Sequence, residues 1–247
     1  MLFRSGWLAP DSYAWLPGTS AEVVLRTMVE RTRERVTRAT AGVDSLPLGM
    51  NPHEVLTLAS IVESESRADE ERPHIARVYL NRLERGMLLQ ADPTVGYALG
   101  RGPRSRLTFR DLRVESSYNT YRHVGLPPGP ICSPGEKAII AVMTATPGAK
   151  DLYFVARGEG RHLFAATYEE HLANIAWAKA RQASLAAAAA AESTGLDLNA
   201  ADSLEGPEPV RTGLPVIAVT PVTPVIPVTP VHLPSGHAAP RDSSGRR

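Results

Sequence analysis

The sequence predicts an α+β fold: a helix-rich domain with a short antiparallel β element and long groove-forming loops, followed by a disordered, Pro-rich tail. Three observations predict it. Amphipathic segments carrying helix-start and helix-stop residues lie on both sides of one tight turn signal. That signal, Gly158-Glu159-Gly160, is flanked by two short apolar runs. Composition then changes near residue 190, which divides the chain into a folded part, residues 1–190, and a tail, residues 191–247.

Taken in order, Thr19-Ser20-Ala21-Glu22 is a capping-box pattern ahead of Val24, Leu25, Met28, Val29 and Val36 at helical spacing. Arg31, Arg33, Arg35 and Arg38 beside that stripe read as its solvated face. A second helix is expected from about His53 to Arg67, entered through Asn51-Pro52, because proline suits the first turn. Pro73 opens a third with Ile75, Val78, Tyr79 and Leu83, stopped at Gly86. A fourth follows Ser133-Pro134-Gly135-Glu136 and ends at Pro147-Gly148. Residues 151–157 and 161–167 are the hairpin strands, and Thr167 with Glu170 caps a last helix running through Trp177. In the tail, a proline every third or fourth residue after Gly213 removes backbone donors and favours polyproline II.

Between Gly86 and Ser133, glycines and prolines recur without clear helical or strand periodicity, which marks a binding or active-site loop region. Other classes are excluded by composition. Lys and Arg number 27 against 26 Asp and Glu, so no one-sign field is available for general nucleic-acid binding. The single cysteine, Cys132, builds neither a disulfide framework nor a cysteine zinc site. The seven histidines fall into no HExxH-type spacing, so no metal is expected. Lys137, Lys150 and Lys179 lack a phosphate-cradling context, so no pyridoxal cofactor is expected, and none of any other kind. No run approaches the ~20 apolar residues of a membrane span.

The chemically promising segment is Ala59-Ser-Ile-Val-Glu63-Ser-Glu65-Ser66. At about 100° per residue, Val55, Leu58, Ala59 and Val62 form an apolar stripe, with Glu63 and Glu65 flanking it on opposite sides. A carboxyl against an apolar wall holds its proton more tightly and can serve as an acid at neutral pH. The plain alternative is two boundary glutamates, one pairing with Arg67. Spacing does not choose between them.

Four blocks, ASIVESES, MLLQADPTVGYAL (87–99), SSYNTYRHVGLPPGPICSPGEKA (116–138) and DLYFVARGEGRHLF, together resemble the MltG (YceG-like) endolytic murein transglycosylase family. The opening Gly6-Trp-Leu-Ala-Pro-Asp-Ser-Tyr13 resembles its entry motif, so the likeness runs over roughly residues 3–177. The resemblance implies that Glu63 is the catalytic acid/base and that Gln90, Asp92, Thr94, Tyr118, Asn119, Tyr121 and His162 line the substrate groove. Amides, hydroxyls and aromatic rings suit a sugar's hydroxyls and apolar faces. The implied reaction cleaves the MurNAc–GlcNAc bond of peptidoglycan without water, leaving 1,6-anhydroMurNAc ends and serving wall assembly and strand termination. A two-carboxylate muramidase using Asp92, or a non-catalytic relative that binds peptidoglycan or a synthase, is the alternative. Family members carry a membrane helix and a LysM-like region ahead of this domain, so the chain reads as truncated at its N-terminus. The implied location is the outer face of the cell membrane, with peptidoglycan strands as substrate and cell-wall synthases as partners.

Overall fold

A computed structural model describes residues 6–102 and 105–193. Its helices are α1 (Ala21–Thr40), α2 (Pro52–Glu65), α3 (Arg72–Glu84), α4 (Asp92–Ala98), α5 (Glu136–Met143) and α6 (Tyr168–Ser193), with strands β1 (Tyr153–Gly158) and β2 (Arg161–Ala165) between the last two. The expected α+β class is what is found; the Pro-rich tail lies outside the described residues.

Helix α2 is the axis of the fold because it is buried on nearly every side. Val55, Leu56, Leu58, Ala59, Ile61 and Val62 are each 0% exposed, and the larger of them contribute about 1.5–3 kcal/mol apiece. Its polar residues are buried too, which a single apolar stripe did not anticipate. They are tolerated because each hydroxyl has a local acceptor: Thr57 donates to His53 O, Ser60 to Thr57 O and Ser64 to Ser60 O. Ser60 Oγ also accepts from Ile131 N, tying the groove loop to the helix. The start is fixed as expected, with Asn51 Oδ1 accepting from His53 N and Glu54 N while Glu54 Oε2 accepts from Asn51 N. The helix ends at Glu65, two residues before the expected Arg67.

Around α2 stand α3 and α5, with α1 outside α5 and α4 near the far end of α2. On α1, Arg31 and Arg33 form exposed pairs with Glu34 and Glu30, as a solvated face should. Arg35 departs from that reading: it is 9% exposed and pairs with Asp11 at 2.7 Å, pinning the N-terminal segment to the helix. The hairpin pairs Phe154 with Phe164 and Val155 with Leu163. Its turn is Glu159-Gly160, both at positive φ (55° and 75°), the geometry two-residue hairpins favour. At Gly160 an added Cβ would stand 3.0 Å from Arg67 Cβ, so glycine is also required for the approach to α2.

Three further elements differ from expectation: α5 has Gly135 as its N-cap, with no side-chain cap at the expected Ser133, and ends at Met143, short of Pro147. Helix α4 lies inside the segment read as loop: Pro93 opens it, and Pro93, Thr94, Val95 and Gly96 are its buried residues. Helix α6 continues past Trp177, and past residue 190, to Ser193. Its start is the expected reciprocal cap, Glu170 N donating to Thr167 Oγ1 and Thr167 N to Glu170 Oε2. The extension follows from the alanine run, since alanine is the strongest helix former.

Candidate active site

The last turn of α2 points two carboxylates in opposite directions. Glu63 faces α5: its Oε1 accepts from Arg72 Nη2 at 3.0 Å and its Oε2 from Gly135 N at 3.1 Å, immediately before the first turn of α5. Arg72 in turn pairs with Asp69 at 3.0 Å. Both oxygens of Glu63 are thus engaged in joining α2, α3 and α5, and its cationic partner is Arg72, not Arg67.

Glu65 faces α3 and α4. Tyr79 donates its hydroxyl to Glu65 Oε1 at 2.9 Å. The residue keeps some solvent contact, while its carboxyl is enclosed by Tyr79 and the α3 and α4 walls. Burial raises its pKa from 4.5 to about 8, the negative charge of Asp92 adds to the rise, and the Tyr79 hydrogen bond and the Arg82 charge oppose it. At neutral pH Glu65 therefore carries a proton. Asp92, the first residue of α4, accepts from the Tyr121 hydroxyl at 2.5 Å; burial raises its pKa and that hydrogen bond lowers it. The Tyr79 and Tyr121 hydroxyls, pushed well above 10 by burial and by the neighbouring carboxylates, remain donors.

Gln90 lies at the entrance to α4, half-buried, with φ at 50°. A non-glycine residue there costs about 1 kcal/mol, and the neighbours over-determine the conformation. Gln90 N donates to Thr120 O at 3.1 Å, Ala91 N to Thr120 Oγ1 at 3.0 Å, and Arg82 Nη1 to Gln90 Oε1 at 3.4 Å. Since a guanidinium only donates, the atom facing it is the amide oxygen, which leaves the Gln90 NH2 directed elsewhere. A cleft of about 580 Å³ is lined by residues 67–70 and the hairpin turn 159–161, and none of Glu65, Gln90, Asp92 or Tyr118 lines it.

The remaining expected groove residues divide sharply. Tyr118 is half-buried, its ring centroid 4.8 Å from that of Tyr97 and its hydroxyl beside Gly129. Thr94 is 0% exposed, its hydroxyl donating to Ala91 O and sharing a hydrogen bond with Thr120 Oγ1. Asn119 is also 0% exposed: its amide donates to Leu112 O and Val114 O, and its oxygen accepts from Tyr121 N. Neither side chain has surface exposed to a ligand. His162 is paired with Glu71, ring Nδ1 to Oε2 at 2.9 Å and backbone N to the same oxygen at 2.9 Å, which clamps β2 to the start of α3. Its other neighbours are Phe154 and Phe164. The sequence reading missed Tyr79, Arg82 and Thr120. The first two sit one turn apart on a helix read as packing, and only their partners, far away in sequence, reveal them.

A buried carboxyl of raised pKa at the end of a helix, with a second carboxylate, an amide and phenol groups nearby, is the arrangement a general acid requires, here on a helix-rich α+β scaffold. The YceG-like family model matches residues 2–177, and the chain belongs to that family. It is 37% identical over 168 residues to an endolytic murein transglycosylase of Bacillus subtilis, covering 67% of this chain and 45% of that protein. A Streptococcus pneumoniae protein of the same name is 35% identical over 176 residues, covering 69% of this chain and 31% of that one. The chain thus spans less than half the length of these relatives. A YceG-like protein from Listeria monocytogenes, solved by crystallography, superposes with a TM-score of 0.56 at 38% identity, covering 67% of this chain and 53% of that one.

Proposed function

We propose that residues 6–177 form the catalytic domain of an endolytic murein transglycosylase and that Glu65, not Glu63, is its acid/base. The observation that carries this is the setting of the Glu65 carboxyl: Tyr79 donates to it at 2.9 Å, and burial together with the charge of Asp92 raises its pKa to about 8. Glu63 has the opposite character, since Arg72 and Gly135 N occupy both of its oxygens.

In the proposed reaction, Glu65 gives its proton to the oxygen linking MurNAc C1 to GlcNAc. The C1–O bond breaks as that proton arrives. The Glu65 carboxylate then takes the proton of the MurNAc C6 hydroxyl while O6 bonds to C1, closing the 1,6-anhydro ring. The proton borrowed in the first half is returned in the second, and no water is consumed. One carboxylate suffices because the nucleophile is tethered, an arrangement worth up to ~7–11 kcal/mol of barrier. Gln90 and Tyr118 offer the strand an amide and an aromatic face. The relatives' name supports murein strands as the substrate, and the extracytoplasmic location and cell-wall synthase partners are part of the proposal; among the described residues no helix is long and apolar enough to cross a membrane.

Mass spectrometry of peptidoglycan digested by the protein, E65Q and E63Q tests the reading. Anhydro-ended products from the protein and from E63Q, absent with E65Q, are expected. A second reading rests on Asp92, which stands near Glu65 as a second carboxylate; hydrated reducing ends, abolished by D92N, would establish a muramidase instead.

A further inference from the structure

The acid site contains a cation with no anion to balance it. Arg82, on α3 one turn beyond Tyr79, is 8% exposed. Its Nε donates to Leu152 O at 2.6 Å and its Nη1 to Leu88 O at 3.2 Å, to Leu89 O at 2.8 Å and to Gln90 Oε1 at 3.4 Å. All four acceptors are neutral. The guanidinium also lies over the Tyr153 ring, 5.3 Å from its centroid. Among the described residues no carboxylate comes within ion-pair distance of it.

A buried cation without a counter-charge is costly, and capping carbonyls does not require one, since a neutral amide would serve. The charge needs a purpose, and the groups around it supply one. Glu65 is the carboxyl that interacts with Arg82; of its other ionisable neighbours, Tyr79 and Tyr121 are pushed well above 10 and His171 is lowered to about 4, so none of these three carries charge at the pH where Glu65 works. In the resting site Glu65 is protonated and Arg82 stands unbalanced. Once Glu65 has given up its proton, the two charges are complementary.

We propose that Arg82 is the positioning residue of this site: its buried guanidinium is the counter-charge for Glu65 whenever Glu65 becomes a carboxylate, and its Nη1 holds the Gln90 oxygen so that the Gln90 NH2 is left for the substrate. The inference rests on Glu65 as the acid/base. Arg82 exchanges no proton. It lowers the energy of the intermediate in which Glu65 is ionised, where a fixed charge in a desolvated site counts most. It also links the acid to the strand-binding amide, so that the two move as one unit.

The test compares R82Q and R82K with the wild-type protein, assaying release of anhydro-ended products from peptidoglycan across pH, with melting curves to confirm folding. R82Q is expected to lose about a hundredfold in kcat and to shift the alkaline limb of kcat/KM upward, because Glu65 without its counter-charge holds its proton longer. R82K keeps a positive charge and is expected to retain the wild-type limb and kcat within about tenfold. Equal losses in both variants with an unmoved limb would overturn the proposal in favour of a purely structural Arg82, and so would wild-type kcat in R82Q. Should R82Q fail to fold, R82K decides alone: a hundredfold loss with a native melting curve overturns it. E65Q, assayed alongside, separates the two levels. An active E65Q removes the reading of Glu65 and this inference with it, whereas an inactive E65Q with an unmoved R82Q limb removes only the inference.

Discussion

The two faces of the last turn of α2 present the same residue type to opposite ends of its chemical range. On the α5 side, Glu63 meets a guanidinium and a backbone N–H, which satisfy a carboxylate. On the α4 side, Glu65 is buried near the charge of Asp92, and these outweigh the Tyr79 hydrogen bond and favour the carboxylic acid. Two positions along a helix rotate a side chain by about 200°, enough to reach a different set of neighbours. Chemical role is therefore set by what α3, α4 and α5 bring to each face, and the shared local motif does not distinguish the two.

The contrast is most directly broken by exchanging each acid for its amide. E65Q is expected to lose at least about a thousandfold in turnover, because the proton donor and acceptor of the reaction vanish together. E63Q retains the hydrogen bond to Gly135 N and loses only the charge against Arg72, whose side chain is 11% exposed. It should melt at lower temperature, by about 1–3 kcal/mol of stability, and keep turnover within about tenfold below its melting point. Reversal of the two turnover losses would return the acid to Glu63.

A finer test perturbs the surroundings of Glu65 and leaves the carboxyl in place. Productive enzyme requires the protonated acid, so kcat/KM should fall as pH rises through about 8. Y79F removes a hydrogen bond that favours the ionised form, so the alkaline limb moves up. D92N removes a charge that disfavours it, so the limb moves down. Each displacement should be on the order of one pH unit. Movement in the same direction for both variants would mean that neither group acts on the titrating acid.

How much of this was legible in the sequence depends on how far apart the interacting residues lie. The Asn51-Pro52 entry to α2, the Glu159-Gly160 turn and the Thr167–Glu170 cap are local, and each appears where the sequence places it. Helix α4 was missed because seven residues with an internal glycine give no period to detect, although Asp92-Pro93 is a helix-start signal. The family likeness picks out Gln90, Asp92, Thr94, Tyr118 and Asn119 alike as candidates. A motif does not show which of them can meet a ligand, since only burial separates Asn119 at 0% from its half-buried neighbour Tyr118. The preference for Glu65 needed Tyr79 and Asp92, 14 and 27 positions along the chain, and no helical period contains that information.

The smallest effect concerns stability, and it separates the two glutamates by sign. Because Glu65 is raised from 4.5 to about 8 in the folded protein, the unfolded chain releases that proton at lower pH than the native state does. Below pH 4.5 both states hold the proton and Glu65 costs nothing. As pH rises from 4.5 toward 8 the unfolded state ionises first, so the native state loses stability across that window and the whole penalty is present above about 8. Glutamine carries no such penalty and can still accept from Tyr79. E65Q should therefore melt above the wild-type protein at pH 8, by about 5 °C, with the gap closing as pH falls toward 4.5. E63Q, which breaks a satisfied ion pair, should melt below it. Melting curves of both variants at several pH values check this. A gap for E65Q that is negative at pH 8, or constant with pH, would mean that the native Glu65 carboxyl is no harder to ionise than an ordinary one, and the acid assigned to this face of α2 would have no basis in its surroundings.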